Sequence, residues 1–176
     1  MAETAPRETD VLIVGAGPVG LAAACELRRH GIACRLIDAP SLDAALDTLY
    51  LDLLDHFAVP HVAVRLWNVA EENPDTKEFG AVAGEMREFV EKMTSPYCGN
   101  HAVYESQAWF GEAAPHLKSF ALVKLERDGV TFGVVGLASE DPKRFYPEMG
   151  TLYLARTGEL VSHALWRFVT PVREHA

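Results

Sequence analysis

Residues 119–138 read SFALVKLERDGVTFGVVGLA. Two runs of aliphatic, aromatic and β-branched residues, 119–126 and 130–138, flank Arg127, Asp128 and Gly129. Asp-Gly between such runs is a strong hairpin signal, because the tight turn that matches strand twist needs positive φ at both central positions. The hairpin predicts antiparallel pairing, and the segments around it must supply what covers its faces.

Upstream, Ser41 precedes Leu42, Leu46, Leu49, Leu53, Leu54 and Phe57 at spacings of mostly three and four. That pattern predicts an amphipathic helix over 42–57 with Ser41 as its N-cap. Residues 59–67 alternate as a strand should, with Val62, Val64 and Leu66 on one face. A polar turn follows at 71–76, and Met86, Phe89, Val90 and Met93 mark one side of a helix over 85–93. Residues 148–168 predict a long helix striped by Leu152, Leu160, Val161, Ala164, Leu165 and Phe168, with Pro147 at its start. Ser139, Asp141 and Pro142 read as the turn before it, with Asp141 paired to Arg144. Helix, strand, helix, loop, hairpin and helix in this order predict an α+β fold: an antiparallel sheet flanked by helices, with the helices at 42–57 and 148–168 together beneath it.

The first forty residues follow a different pattern. Val11 to Val14 suit a buried parallel strand, and Gly15, Gly17 and Gly20 follow at GxGxxG spacing. In that spacing the first glycine permits a tight turn, the second admits a pyrophosphate to the backbone, and the third lets helix and strand pack closely. Residues 21–30 predict a helix ended by Gly31, and 32–37 a second strand closing on Asp38, near the offset of about 20 residues at which a carboxylate accepts ribose hydroxyls. The whole is a truncated Rossmann-type βαβ unit. Three units result: residues 1–40, a dinucleotide-binding segment; 41–170, the α+β domain; and 171–176, a flexible tail.

Composition limits what the chain can do. Across 176 residues, 16 Lys and Arg stand against 25 Asp and Glu for a formal charge of -9, which disfavours nucleic acid as a partner. Three cysteines, widely separated and odd in number, predict reduced thiols and a cytoplasmic location. The first ten residues lack the basic and apolar segments of a signal peptide, and no apolar run is long enough to predict a membrane span.

Two resemblances follow from these residues. GAGPVGL and LID make residues 10–39 resemble the N-terminal βαβ of FAD-dependent aromatic-hydroxylase-type monooxygenases. That resemblance implies FAD, with Gly15, Gly17 and Gly20 at the pyrophosphate and Asp38 at the adenosine ribose. The Gly-Asp pair with which that family contacts the ribityl chain does not occur in the sequence. Residues 42–169 resemble the proteobacterial GAF-like family of unknown function, domain of unknown function 484. The stretches that carry this are SPYCG at 95–99, SEDPKRFYPEMGTLYLARTGELV at 139–161, LWNV and AWFGEAAP. It implies a GAF-like sensing or regulatory interaction domain and a homodimer through the terminal helices, with the βαβ segment where that family has a helical N-terminal stretch.

The residues that invite chemistry lie in one loop. Tyr97, Tyr104, Trp109 and Phe110 with Cys98, His101 and Gln107 are the makings of a small-molecule pocket, aromatic with a few polar groups. Cys98 and His101 supply two ligands where a structural zinc takes four, so no metal is expected. No GxSxG, HExxH or P-loop occurs, and no catalytic residue is assigned. The expected function is non-catalytic small-molecule sensing or regulation, fused to a partial FAD-binding motif. The alternative is an FAD-binding, monooxygenase-like oxidoreductase fragment or cofactor-binding subunit.

Overall fold

The computed structural model describes residue 36 and residues 38–55, 57–68, 76–148 and 150–169. Gly15, Gly17 and Gly20, the polar turn predicted at 71–76 except for Thr76, and the tail at 171–176 lie outside the described residues.

Helix α1, Leu42–Asp55, opens as its sequence predicts: the Ser41 hydroxyl accepts the Ala44 N–H at 3.2 Å and its carbonyl accepts the Ala45 N–H. It closes where the Val59 N–H returns to the Leu53 carbonyl with Ala58 at φ 50°, a left-handed C-terminal closure that ends the helix two residues before the expected Phe57. Strand β1, His61–Leu66, follows, then a short 3-10 turn at Lys77–Phe79 and helix α2, Gly84–Lys92. Strand β2, Tyr97–Gly99, precedes a 3-10 segment, Tyr104–His116, which kinks at Gly111. Strands β3, Ser119–Arg127, and β4, Val130–Ser139, form the hairpin, and helix α3, Leu152–Trp166, follows.

The fold is α+β with a four-stranded antiparallel sheet in the order β1-β4-β3-β2. Its centre is the hairpin, where Asp128 and Gly129 carry φ of 53° and 77° and pair Arg127 with Val130. The register slips at Leu125/Glu126, and the N–H of Glu126 there is accepted by the Ser162 hydroxyl of α3 at 3.1 Å.

One face of the sheet is covered by α1 and α3. Leu46, Leu49 and Leu53 from α1 and Val161, Ala164 and Leu165 from α3 meet Val64, Leu66, Val123, Leu125, Phe132 and Leu137 from the strands. Phe132 is fully buried and meets Trp166 with ring centroids 5.2 Å apart and planes tilted by 57°. Burying such a side chain is worth about 1.5–3 kcal/mol, and this face holds the largest of the buried clusters. The other face carries α2 and the 3-10 segment, with smaller clusters around Trp67, Met86, Val90 and Val134, and around Phe120 and Ala138.

Three expectations are corrected. Leu36 and Asp38 are helical rather than the end of a strand. Leu36 and Ala39 enter the main core three residues apart, a helical spacing and not the period of two a strand needs. Helix α3 begins at Leu152, not at 148, and Pro147 lies in a turn before it. Phe145, buried in the core, and the Arg144 guanidinium, donating to the Phe57 carbonyl, hold that turn out of the helical path. Arg144 therefore does not pair with Asp141, whose carboxylate accepts the Lys143 N–H at 2.9 Å.

The approach of α3 to the sheet depends on Gly158. A Cβ there would lie 2.5 Å from Val123 Cγ1 and 3.2 Å from the Lys124 carbonyl oxygen. Gly158→Ala gains about 1 kcal/mol of helix propensity but forces an overpacking cost of about 1–3 kcal/mol. The expected net result is a destabilisation of up to about 2 kcal/mol and a Tm lowered by several degrees in a thermal melt, whereas exposed Gly84→Ala, with nothing near its Cβ, leaves Tm unchanged or raised.

Candidate functional site

Strand β2 distributes the predicted pocket residues between the two faces of the sheet. Successive side chains alternate, so Tyr97, paired with Leu122, joins the α2 side, while Cys98, paired with Ala121, enters the core beneath α1 and α3. Burial pushes the Cys98 thiol up from its ordinary pKa. It is a small apolar core residue and shares no site with its neighbours in sequence.

Tyr97 and Tyr104 do come together. Both meet Phe89 of α2 edge-on, at 6.2 and 6.1 Å, and the Tyr97 hydroxyl donates to the His101 carbonyl at 2.9 Å. The His101 ring is on an exposed residue, so its backbone rather than its imidazole joins the group. Tyr104 sits at φ 47°, a left-handed conformation uncommon for a bulky residue, and remains 55% exposed. The turn that places it is closed by Ser106, whose hydroxyl accepts the Val103 N–H at 3.1 Å and whose N–H returns to the Val103 carbonyl. Phe89, Met93 and Tyr104 with Glu85, Glu88 and Lys92 line an open groove of about 520 Å³.

Trp109 and Phe110 lie farther along the same face. Gly136 of β4 has no side chain, and there the Trp109 and Phe110 rings come within 3.5 and 3.4 Å of where a Cβ would be. Phe110 packs on Phe120, and Gln107 donates to the Ala114 carbonyl at 2.7 Å, bracing the 3-10 segment across its kink. Four of the predicted six, Tyr97, Tyr104, Trp109 and Phe110, thus line the α2 side of the sheet, in two groups.

The space between these groups holds residues the loop reading passed over. The Arg65 guanidinium lies 5.4 Å over the Trp109 ring, and the Arg87 guanidinium from α2 lies 5.9 Å over Trp67. Trp67 is 4% exposed, and its indole N–H has no hydrogen-bond partner. Arg87 donates through Nε to the Val82 carbonyl at 3.2 Å, and Arg65 to the Val64 carbonyl at 2.8 Å. The nearby carboxylate of Glu78, itself buried, accepts the Tyr50 hydroxyl at 2.6 Å and lies 3.7 Å from Lys77 Nζ. Burial and that carboxylate hold the Tyr50 phenol well above its ordinary pKa. The signal for Arg65 and Trp67 was present in the alternation of VAVRLW, since Val62, Val64 and Leu66 on one face leave Arg65 and Trp67 on the other.

Asp38 is exposed and helical, so it does not present the strand-end carboxylate that the dinucleotide motif requires. Among the described residues no three His, Cys, Asp or Glu come together as a metal would need, and no described helix is long and apolar enough to cross a membrane.

Comparison with known proteins gives two findings. The model of the family described as "Protein of unknown function, DUF484" matches residues 25–170, beginning upstream of residue 42 and inside the segment that carries the glycine motif. A "Flavin-dependent monooxygenase" of Mycobacteroides abscessus is 67% identical over 33 residues, 18% of this chain and 7% of that protein. The chain spans a small part of the curated relative it matches.

Because Cys98 is buried with a raised pKa, its thiol is expected to react with a disulfide reagent near pH 8 only on unfolding. In a protein carrying Cys25→Ala and Cys34→Ala, the native labelling rate should fall well below that in denaturant, and fast native labelling would place Cys98 at the surface.

Proposed function

We propose that this chain, which belongs to the DUF484 family, is a non-catalytic GAF-like domain that recognises a small molecule on the α2 side of its sheet and relays binding through α1 and α3. The observation that carries the reading is the gathering of Phe89, Tyr97, Tyr104, Trp109 and Phe110 on the face covered by one short helix and a kinked 3-10 segment. Such a thin, aromatic cover with a few polar groups suits ligand recognition. The left-handed Tyr104, an exposed aromatic in a costly backbone conformation, supports the same assignment. The order of elements and the sheet order β1-β4-β3-β2 support the GAF-like description. A cytoplasmic location belongs to this reading.

The test is a thermal-shift screen of small molecules against the purified chain. A ligand that binds the folded state at a hundredfold its Kd adds about 2.7 kcal/mol of stability, readable as several degrees in Tm. The gain should shrink in Tyr104→Ala and Trp109→Ala; hits indifferent to both substitutions would place recognition elsewhere.

Binding is relayed, on this reading, in a homodimer formed through the terminal helices. Leu51 and Leu54 on α1 and Leu152 and Tyr153 on α3 are 44–58% exposed, apolar area that a second copy would cover. Light scattering at micromolar concentration should give twice the chain mass, and Leu51→Glu with Leu54→Glu should return it to the monomer. A monomeric mass for the unaltered chain would remove the dimer from the proposal.

The 33-residue match to a flavin-dependent monooxygenase favours a second reading, FAD held at Gly15, Gly17, Gly20 and Asp38, by an oxidoreductase fragment or cofactor-binding subunit. The helical, exposed Asp38 counts against it. A yellow protein, or FAD binding abolished by Gly17→Val, would support this reading over the first.

A further inference from the structure

We propose that Arg65, Trp67, Arg87 and Trp109 form an oxyanion-binding site, which takes the carboxylate or phosphate group of the small molecule; its place on the α2 side of the sheet rests on the reading above. Every polar group this cluster offers is a donor. A guanidinium has five N–H groups and an indole has one, and neither accepts a hydrogen bond in this setting. A ligand that satisfies them must therefore be rich in acceptors, and a planar or tetrahedral oxyanion is the natural match to guanidinium geometry.

Three observations place these donors together. Arg65 and Trp67 are two residues apart along one strand edge, on the side opposite Val64 and Leu66, which face the main core. Arg87 reaches Trp67 from α2, Trp109 reaches Arg65 from the 3-10 segment, and Trp67 and Trp109 belong to one hydrophobic cluster, so the two pairs share one patch of this face. The Trp67 indole N–H is buried without an acceptor, and leaving such a donor unpaired costs about 1–3 kcal/mol that a bound acceptor would recover.

Charge supports the same conclusion. In a chain of formal charge -9, arginines ordinarily find carboxylates, yet among the described residues none of the ion pairs uses Arg65 or Arg87. Among the described carboxylates, buried Glu78 faces Arg65 electrostatically but is bonded to the Tyr50 hydroxyl at 2.6 Å, and Glu105 accepts the Ala83 N–H at 2.8 Å. Both arginines are half-buried, where a single bound anion is screened less than at the open surface. Each guanidinium spends one N–H group on a backbone carbonyl, Arg65 on Val64 and Arg87 on Val82, out of the five it carries.

The experiment follows the three indole N–H resonances of the ¹⁵N-labelled chain, assigned by Trp67→Phe, Trp109→Phe and Trp166→Phe. Inorganic phosphate, benzoate, neutral benzamide and chloride are titrated in turn. The expected result is a saturable downfield shift of the Trp67 N–H with phosphate or with benzoate, absent with chloride and benzamide. Phosphate acting alone would assign a phosphate group, and benzoate acting alone a carboxylate. Arg65→Gln and Arg87→Gln should each weaken binding about tenfold to hundredfold. If Arg65→Gln does not fold, the half-exposed Arg87→Gln and the titration of the unaltered chain carry the test. A shift equal with benzamide, or one that survives Arg87→Gln, overturns the oxyanion assignment while leaving small-molecule recognition on this face standing. Silence of the Trp67 resonance toward both anions overturns it too, while the broader reading stands or falls separately on whether Tyr104→Ala and Trp109→Ala shrink the gain from the thermal-shift hits.

Discussion

How closely α3 can lie on β3 determines the rest of this molecule. The helix comes near enough that a single Cβ at Gly158 would strike Val123, and near enough for the Ser162 hydroxyl to accept the Glu126 N–H where the strand register shifts. That contact brings Val161, Ala164 and Leu165 onto the strands and lets α1 close the remaining side of the same core. Once one face of the sheet is sealed in this way, the opposite face is left to α2 and the 3-10 segment.

The two faces differ in chemical character because strand side chains alternate. Leu66 and Val64 enter an apolar core, while Arg65 and Trp67, their neighbours in sequence, enter a layer with cations, aromatic rings and a buried unpaired donor. Inward charge is costly unless it is paired or stacked. Here the arginines lie on indole rings and bond backbone carbonyls, which keeps them in place without consuming all their donors. Cys98 and Tyr97 show the same division one strand pair away, where one residue of sequence separates a core thiol from a ring that faces α2.

At its upstream end the described chain has two patterns in competition. The glycine spacing and the closing acid read locally as a dinucleotide-binding unit, but Leu36 and Ala39 bury themselves in the core of the α+β domain with helical spacing. Arg167, just past α3, donates to the Ala39 carbonyl and ties this stretch to the far end of the chain. A short motif prefers its own geometry only weakly, and packing against a large apolar surface overrides that preference at these residues. Motif and activity are separable in the same way, since chemistry belongs to an assembled site.

The sequence by itself determined the elements with a repeating pattern: α1 with its Ser41 cap, β1, α2 and the hairpin with its Asp128-Gly129 turn, hence the α+β class and the antiparallel sheet. Each of these is set by periodicity, capping or turn stereochemistry within a few neighbouring residues. Strand β2 was not legible, because three residues are too few to show a period of two, and the start of α3 was not, because Phe145 and Arg144 hold the preceding turn through contacts distant in sequence. Of the candidate site, the aromatic residues could be found by their crowding in one loop, but not their separation from Cys98 nor their meeting with Arg65, Trp67 and Arg87. Only the tertiary structure decided that, because which side chains share a face depends on pairing register and on which helix covers it, and both are set by contacts between segments far apart along the chain.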